Sequence, residues 1–140
     1  MFEYVDIVIG VLEKDEMFCL SQRQKHQSFA DKWEFPGGKL EAGESLTSAL
    51  QREFREELGI ETHSWQPLIE IPWQYEKVAV RLHVFMSDDY EGEPKGIEGQ
   101  RVKWFDLQEL MQLDFPEANK GILSALQLAD RYMMLSLIHI

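Results

Sequence analysis

The stretch GGKLEAGESLTSALQREFREELGI, Gly37 to Ile60, constrains this chain more than any other, because its glutamates fall where a helix should be apolar. Taken as a helix from Ser45 to Leu58, it has Glu44 near the positive end of its dipole. Gly59 suits the left-handed C-terminal cap, after which Ile60 can fold back on the last turn. Side chains follow one another at about 100°. With Glu53 at zero, Leu46, Ala49, Leu50 and Phe54 fall at roughly +20°, −40°, +60° and +100° and define one apolar face. Glu57 falls inside that face at about +40°, and Glu56 lies beside it at about −60°. Ser48, Gln51 and Arg55 occupy the opposite, wettable side.

A run of charge on a helix ordinarily reads as a solvated face. Here Glu53 and Glu57 continue the core-facing stripe. Desolvating a carboxylate alone costs several kcal/mol, and three carboxylates within about one turn repel one another. Arg52 can neutralise part of this charge, whereas Arg55 points away. Clustered carboxylate oxygens are the hard ligands that Mg²⁺ or Mn²⁺ prefers, so the face reads as a divalent-metal site. The preceding Gly37 and Gly38 read as a glycine turn whose backbone can approach a ligand closely and offer it a carbonyl. An acidic helix beside a glycine turn suits a metal-bridged phosphate chain.

The rest of the chain narrows the partners. With 25 acidic against 14 basic residues and a formal net charge of −11, nucleic acid and anionic membrane surfaces are disfavoured. A small polyanion carried by cations remains compatible. The 140 residues, 44% hydrophobic and 28% charged, are expected to form a single domain, residues 1–140, with a proper core. The single cysteine, Cys19, precludes an intrachain disulfide and fits a reducing compartment. Glu3 and Asp6 break the apolar N-terminal residues, so no signal peptide is expected and the localisation is read as cytoplasmic. The tail MMLSLIHI is too short for a membrane span and reads as the end of a packed helix or a partner contact. Monomer and homodimer are both open.

Along the chain, YVDIVIGVL and MFCLSQR read as strands joined by a polar turn at Glu13–Glu16. A loop with His26 and Ser28 leads to KWEFPGG, extended because Pro36 disfavours helix before it. WQPLIEI and VAVRLHVFM read as strands, SDDYEGEPKGIEGQ as an acidic turn-rich segment, and RVKWFDL as a strand running into a short helix through Met111. LDFPEANK reads as a loop. Lys120 to about Leu135 has helical spacing through Ile122, Leu126, Ala129 and Met133. The pattern is a mixed sheet with two main helices, α/β or α+β.

Gly38, Glu44, Arg52, Glu53, Phe54, Glu56, Glu57, Gly59 and Ile60 fill every specified position of a known signature, and the stretch resembles that of the Nudix hydrolases. WEFPGGK, EGEP with EGQ, and DFPEAN resemble the MutT-like branch, whose members cleave oxidised guanine nucleotides; no motif is matched from about Leu126 onward. The resemblance implies an α/β/α sandwich around a mixed sheet, and metal-assisted hydrolysis of nucleoside diphosphates linked to another group. It places metals on Glu53, Glu56 and Glu57 with the carbonyl of Gly37 or Gly38, and on the loop residue Glu98, which by itself reads as solvated. Glu53 is the chosen base for the attacking water, with Glu56 beside it among the catalytic glutamates. Glu44 and Arg52 are expected to brace the loop and helix. Mg²⁺ is the expected cofactor, with Mn²⁺ as the alternative, and two or three ions would offset the substrate's charge.

The resemblance also implies substrate contacts at Arg23, Glu34, Phe35 and Asn119. Asn119, the only asparagine, can both donate to and accept from a purine edge; its bland reading is an N-cap of the last helix. Bland readings of Arg23 and Phe35 are a solvated strand end and core packing. The chain departs from the MutT-like pattern at Gln22, where a second arginine is expected, and at His26, two residues early with Ser28 in its place. Val78 and Ala79 stand for more polar residues on the strand expected to face the base. His63, His83 and His139 lack metal-ligand spacing and read as structural or surface residues. The expected activity is 8-oxo-dGTP hydrolysis to 8-oxo-dGMP and pyrophosphate. The alternatives are a CTP, 5-methyl-dCTP or broad nucleoside triphosphate pyrophosphohydrolase and, in another class, a non-catalytic nucleotide-binding module.

Overall fold

In the first strand, β1 (Tyr4–Lys14), apolar side chains serve two cores at once. Val8 and Leu12 point to one side of the sheet, and Ile9 and Val11 to the other. A strand apolar on both faces must be covered on both, which places it in the middle of a layered fold. Gly10 shares the face of Val8 and Leu12, where a Cβ would stand 2.4 Å from the Phe54 ring and 2.7 Å from that of Trp65.

The chain, seen in a computed structural model that describes residues 3–27 and 30–138 and side chains as far as residue 130, satisfies that demand. Ser28 and His139, and the side chains of Met133 and of the apolar tail, lie outside what is described. β1 turns through Asp15 and Glu16, both with left-handed backbone (φ 52° and 64°), into β2 (Met17–Gln22). Then follow β3 (Trp33–Glu34), β4 (Gly37–Lys39), α1 (Leu46–Leu58), β5 (Glu61–Gln74), β6 (Ala79–Glu91), β7 (Val102–Asp106), α2 (Leu107–Leu110), a 3₁₀ turn (Glu117–Asn119) and α3 (Lys120–Ile138). The sheet order is β3-β2-β1-β6-β5, with β4 on β1 and β7 on β2. β1 and β6 run parallel and the other pairs antiparallel, so the sheet is mixed as expected.

One face packs against α1 through Ala49, Leu50, Phe54 and Leu58, together with Cys19, Trp65 and Phe85. The other packs against α3 through Ile122, Leu123 and Leu126, with Leu20, Val84 and Phe105. This is the sandwich of helices about a mixed sheet. No helix among the described residues is long and apolar enough to cross a membrane.

Three boundaries differ from expectation. Ser87 to Glu91 continue β6 rather than forming a turn, because β5 begins earlier and pairs with them through Thr62↔Tyr90 and Glu61↔Glu91 across register shifts. β5 carries Pro67 and Pro72, which an edge strand tolerates. Gly37 and Gly38 form no turn. They are strand residues opposite Ile9 and Val8, and neither has a positive φ.

Candidate active site

Helix α1 is fixed at both ends by its own sequence. Ser45 caps the start, its Oγ accepting the Ser48 N–H at 3.1 Å. Gly59, at φ 68°, donates to the Arg55 carbonyl, and Ile60 is folded back to 1% exposure. The expected C-terminal cap is therefore present. Arg52, midway along the helix, is a hub. Its Nε and Nη2 donate to the two oxygens of Glu44 at 2.7 and 2.9 Å, Nη1 donates to Glu53 Oε1 at 2.9 Å, and Nη2 reaches the Lys39 carbonyl at 3.2 Å. These bonds hold the guanidinium charged and keep the Glu44 carboxyl below its usual range, helped by the Glu41 N–H. Arg55 points away, as the helical wheel implies, and pairs with Glu61 at 2.6 Å.

The glutamates divide by environment. The Glu53 carboxyl, with 12% of its side chain exposed, lies against β4, where a Cβ on Gly38 would stand 2.3 Å from its oxygen. Glycine is required there for close approach, not for an unusual backbone. Burial raises the Glu53 pKa, against the pull of Arg52. Glu57 accepts a hydrogen bond from the Gly37 N–H, yet its Oε2 is buried with no partner. Burial first, then the charges of Glu53, Glu34 and Glu98, push the Glu57 pKa up to about 9. Glu56 is more open, 58% exposed, and touches Arg52 only at 3.5 Å. Glu98 sits on an exposed loop, its backbone carbonyl accepting from Gln24 Nε2 at 3.0 Å.

Beside this cluster a cleft of about 360 Å³ gathers residues from distant parts of the chain. Gly37, Gly38, Lys39 and Glu57 enter from β4 and α1, and Pro116, Ala118 and Asn119 from the turn before α3. Ile7, Ile9, Val80 and Leu82 line it from the central parallel pair, where Leu82 stands opposite Ile7. Arg23 and Glu34 also line it, joined by hydrogen bonds of 3.0 and 3.2 Å, and burial raises the Glu34 pKa more than Arg23 lowers it. Phe35 is at once core and lining: it is 3% exposed and stacks on Phe115 with centroids 5.6 Å apart. The Asn119 side-chain amide has no hydrogen-bond partner among the described residues, so it is not spent as a helix cap. Glu53, Glu56 and Glu98 do not line this cleft.

Residues 3–126 match the NUDIX domain family. The chain belongs to that family. The Nudix domain is 34% identical to the 8-oxo-dGTP diphosphatase of Buchnera aphidicola (from Schizaphis graminum), over 89% of this chain and 95% of the relative. It is 32% identical to the CTP pyrophosphohydrolase of Escherichia coli, over 86% and 90% of the two chains. Its fold superimposes on the solution structure of the Escherichia coli ORF135 protein with a TM-score of 0.81 at 31% identity, covering 90% of each chain.

Nudix hydrolases use divalent metal ions, and the residues here fit one in chemistry. The Oε2 of Glu57 is buried among like charges with no hydrogen-bond partner, and a cation would satisfy such a carboxylate. Arg52 serves Glu44 and Glu53 but no oxygen of Glu57. Among the described residues, no three His, Cys, Asp or Glu side chains already converge as a closed set of ligands. The donors are oriented by Arg52, Gly37 and Gly38 rather than clustered outright.

Sequence reasoning missed several lining residues of this Nudix cleft. Val78 and Ala79 do not face it: Val78 precedes β6 and is 44% exposed, and Ala79 is buried. Val80 and Leu82 do, and the strict alternation of Val80, Leu82 and Val84 was the available signal. Gln27 and Tyr75, from two loops, carried no signal in one sequence. His83 is structural, its Nε2 2.9 Å from Asp6 Oδ1, and His63 lies at the surface 3.2 Å from Glu91.

Proposed function

We propose that this Nudix domain is a nucleoside triphosphate pyrophosphohydrolase that prefers 8-oxo-dGTP, acting as one domain on the cytoplasmic nucleotide pool. The observation that carries the reading is one cleft holding both the Glu57–Gly37 corner and the uncommitted amide of Asn119, with apolar Ile9, Val80 and Leu82 between strands and turn. The 34% identity to an 8-oxo-dGTP diphosphatase supports the substrate. Asn119 would read the purine edge by donating and accepting, and Arg23, Glu34 and Phe35 would frame the nucleotide. Glu53, Glu56, Glu57, Glu98 and a backbone carbonyl of Gly37 or Gly38 would hold Mg²⁺, which neutralises triphosphate charge and polarises the reacting phosphate. Glu53 would take the proton of the attacking water. The water oxygen joins the β-phosphorus, and the bridging oxygen leaves on the α-phosphate, giving the monophosphate and pyrophosphate.

A second reading, CTP, 5-methyl-dCTP or broad triphosphate hydrolysis, is supported by the 32% identity to a CTP pyrophosphohydrolase and by Gln22 where the pattern has arginine. The test is a kcat/KM panel with Mg²⁺ over 8-oxo-dGTP, dGTP, CTP, 5-methyl-dCTP and ADP-ribose. The highest value is expected for 8-oxo-dGTP. A maximum at a cytidine nucleotide would install the second reading, and turnover of none would favour a binding module.

A further inference from the structure

The last carbonyls of a helix have no partner within it and must be satisfied from outside. In α1 two of them are taken by the loop that carries Glu98. The Lys95 N–H donates to the Leu58 carbonyl at 3.0 Å, and the Ile97 N–H to the Glu57 carbonyl at 3.1 Å. The Glu57 carbonyl accepts a second bond, from Gln100 Nε2 at 2.9 Å. The other end of the same amide, Gln100 Oε1, accepts the Glu98 N–H at 2.9 Å. Only this orientation of the amide satisfies both a carbonyl and an N–H. A half-buried side chain thus bridges the backbone of one glutamate to the backbone of another, 41 positions away.

The loop is tight as well as tied. A Cβ on Gly96 would stand 1.8 Å from the Gln100 carbonyl oxygen, and the Gly99 N–H closes back on the Gly96 carbonyl at 3.0 Å. From its exposed side, Gln24 Nε2 donates to the Glu98 carbonyl at 3.0 Å. The charge of Glu98 is felt by both Glu53 and Glu57, so the loop stands over the acidic end of α1.

We propose that Gln100 is a positioning residue: by clamping the Glu98 backbone to the last turn of α1, it sets where the Glu98 carboxylate stands for a divalent cation shared with Glu53 and Glu57. The proposal rests on the reading of Glu98 as a metal ligand. Residues that orient a ligand typically contribute about 10- to 100-fold to metal affinity.

The test is Mn²⁺ binding by the full chain, with free Mn²⁺ followed by electron paramagnetic resonance, in Gln100→Met, Glu98→Gln and the double variant. Far-UV circular dichroism and the metal-free Tm report folding. Gln100→Met is expected to weaken Mn²⁺ binding about tenfold or more while folding normally. The double variant is expected to bind no worse than Glu98→Gln alone, because the amide acts only through that carboxylate. Gln24→Met loosens the same loop from outside and is expected to weaken binding several-fold; it serves as the test should Gln100→Met fail to fold. Full affinity in a folded Gln100→Met or, in its stead, Gln24→Met variant, or additive losses in the double, would overturn the positioning role and leave the Glu98 assignment standing. Unchanged affinity in Glu98→Gln would remove both.

Discussion

At the scale of single residues, the two halves of the proposed reaction separate cleanly. Glu53 is held by Arg52 against Gly38, so Glu53→Gln keeps nearly the same shape and removes the negative charge that would take a proton and help hold the cation. It is expected to fold with a similar Tm and to lower kcat by about 10²–10⁴; near-normal turnover would take Glu53 out of the chemistry. Asn119 is proposed to supply recognition without chemistry. Asn119→Ala is expected to bring kcat/KM for 8-oxo-dGTP down to that for dGTP, and an unchanged ratio between the two would overturn its role in reading the base. How legible these residues were follows from what determines them. The inward aim of Glu53 and Glu57 is local helical geometry and could be read from spacing alone. The orphaned oxygen of Glu57 depends on an N–H from Gly37, twenty positions earlier, and on burial by other elements, which spacing does not encode.

At the scale of elements, strand β4 and helix α1 form one unit whose tolerance is set by two glycines. A Cβ on Gly37 would stand 2.0 Å from the Val8 carbonyl oxygen, and one on Gly38 would meet the Glu53 carboxyl. The sequence marked both residues as special but read them as a turn, which they do not form. Glycine pairs suggest turns, whereas here they let a strand lie flush between β1 and an acidic helix. Backbone strain therefore plays no part at Gly38, and the consequence of adding a methyl group is steric and local. Gly38→Ala is expected to cost about 1–3 kcal/mol by overpacking. The Glu53 carboxyl, pinned by Arg52, must move, so kcat should fall by far more than the loss of stability accounts for. Equal Tm and activity to the parent chain would show that the helix yields instead. The helix, the main strands and the acidic stripe were legible because local periodicity decides them. The early start of β5 and the long reach of β6 were not, since each is stabilised by the other.

At the scale of the whole molecule, a chain of net charge −11 concentrates several carboxylates where neither water nor arginine reaches all of them. Folding without metal must then oppose the burial of that charge. Glu57 ionises near the ordinary carboxylate value of 4.5 when unfolded and at about 9 when folded. Below the lower value both states hold the proton and there is no penalty. Between the two, the folded state binds a proton that the unfolded state has lost, so stability falls as pH rises, reaching its full deficit above about 9. The raised pKa values of Glu53 and Glu34 act in the same direction. Metal-free protein is accordingly expected to lose at least about 5 °C in Tm between pH 6 and pH 9, roughly 1.5 kcal/mol for a domain of this size. Saturating Mg²⁺ should flatten that slope, because the cation replaces the proton and stabilises the state that binds it. Glu57→Gln should flatten it as well, raising the metal-free Tm at pH 8 while abolishing most of the Mg²⁺-induced rise. Differential scanning calorimetry of both proteins, with Mg²⁺ and with chelator, measures all four curves. A metal-free Tm that climbs with pH, or a Glu57→Gln variant as pH-sensitive as its parent, would mean that the buried carboxylate is not what sets the molecule's response to metal.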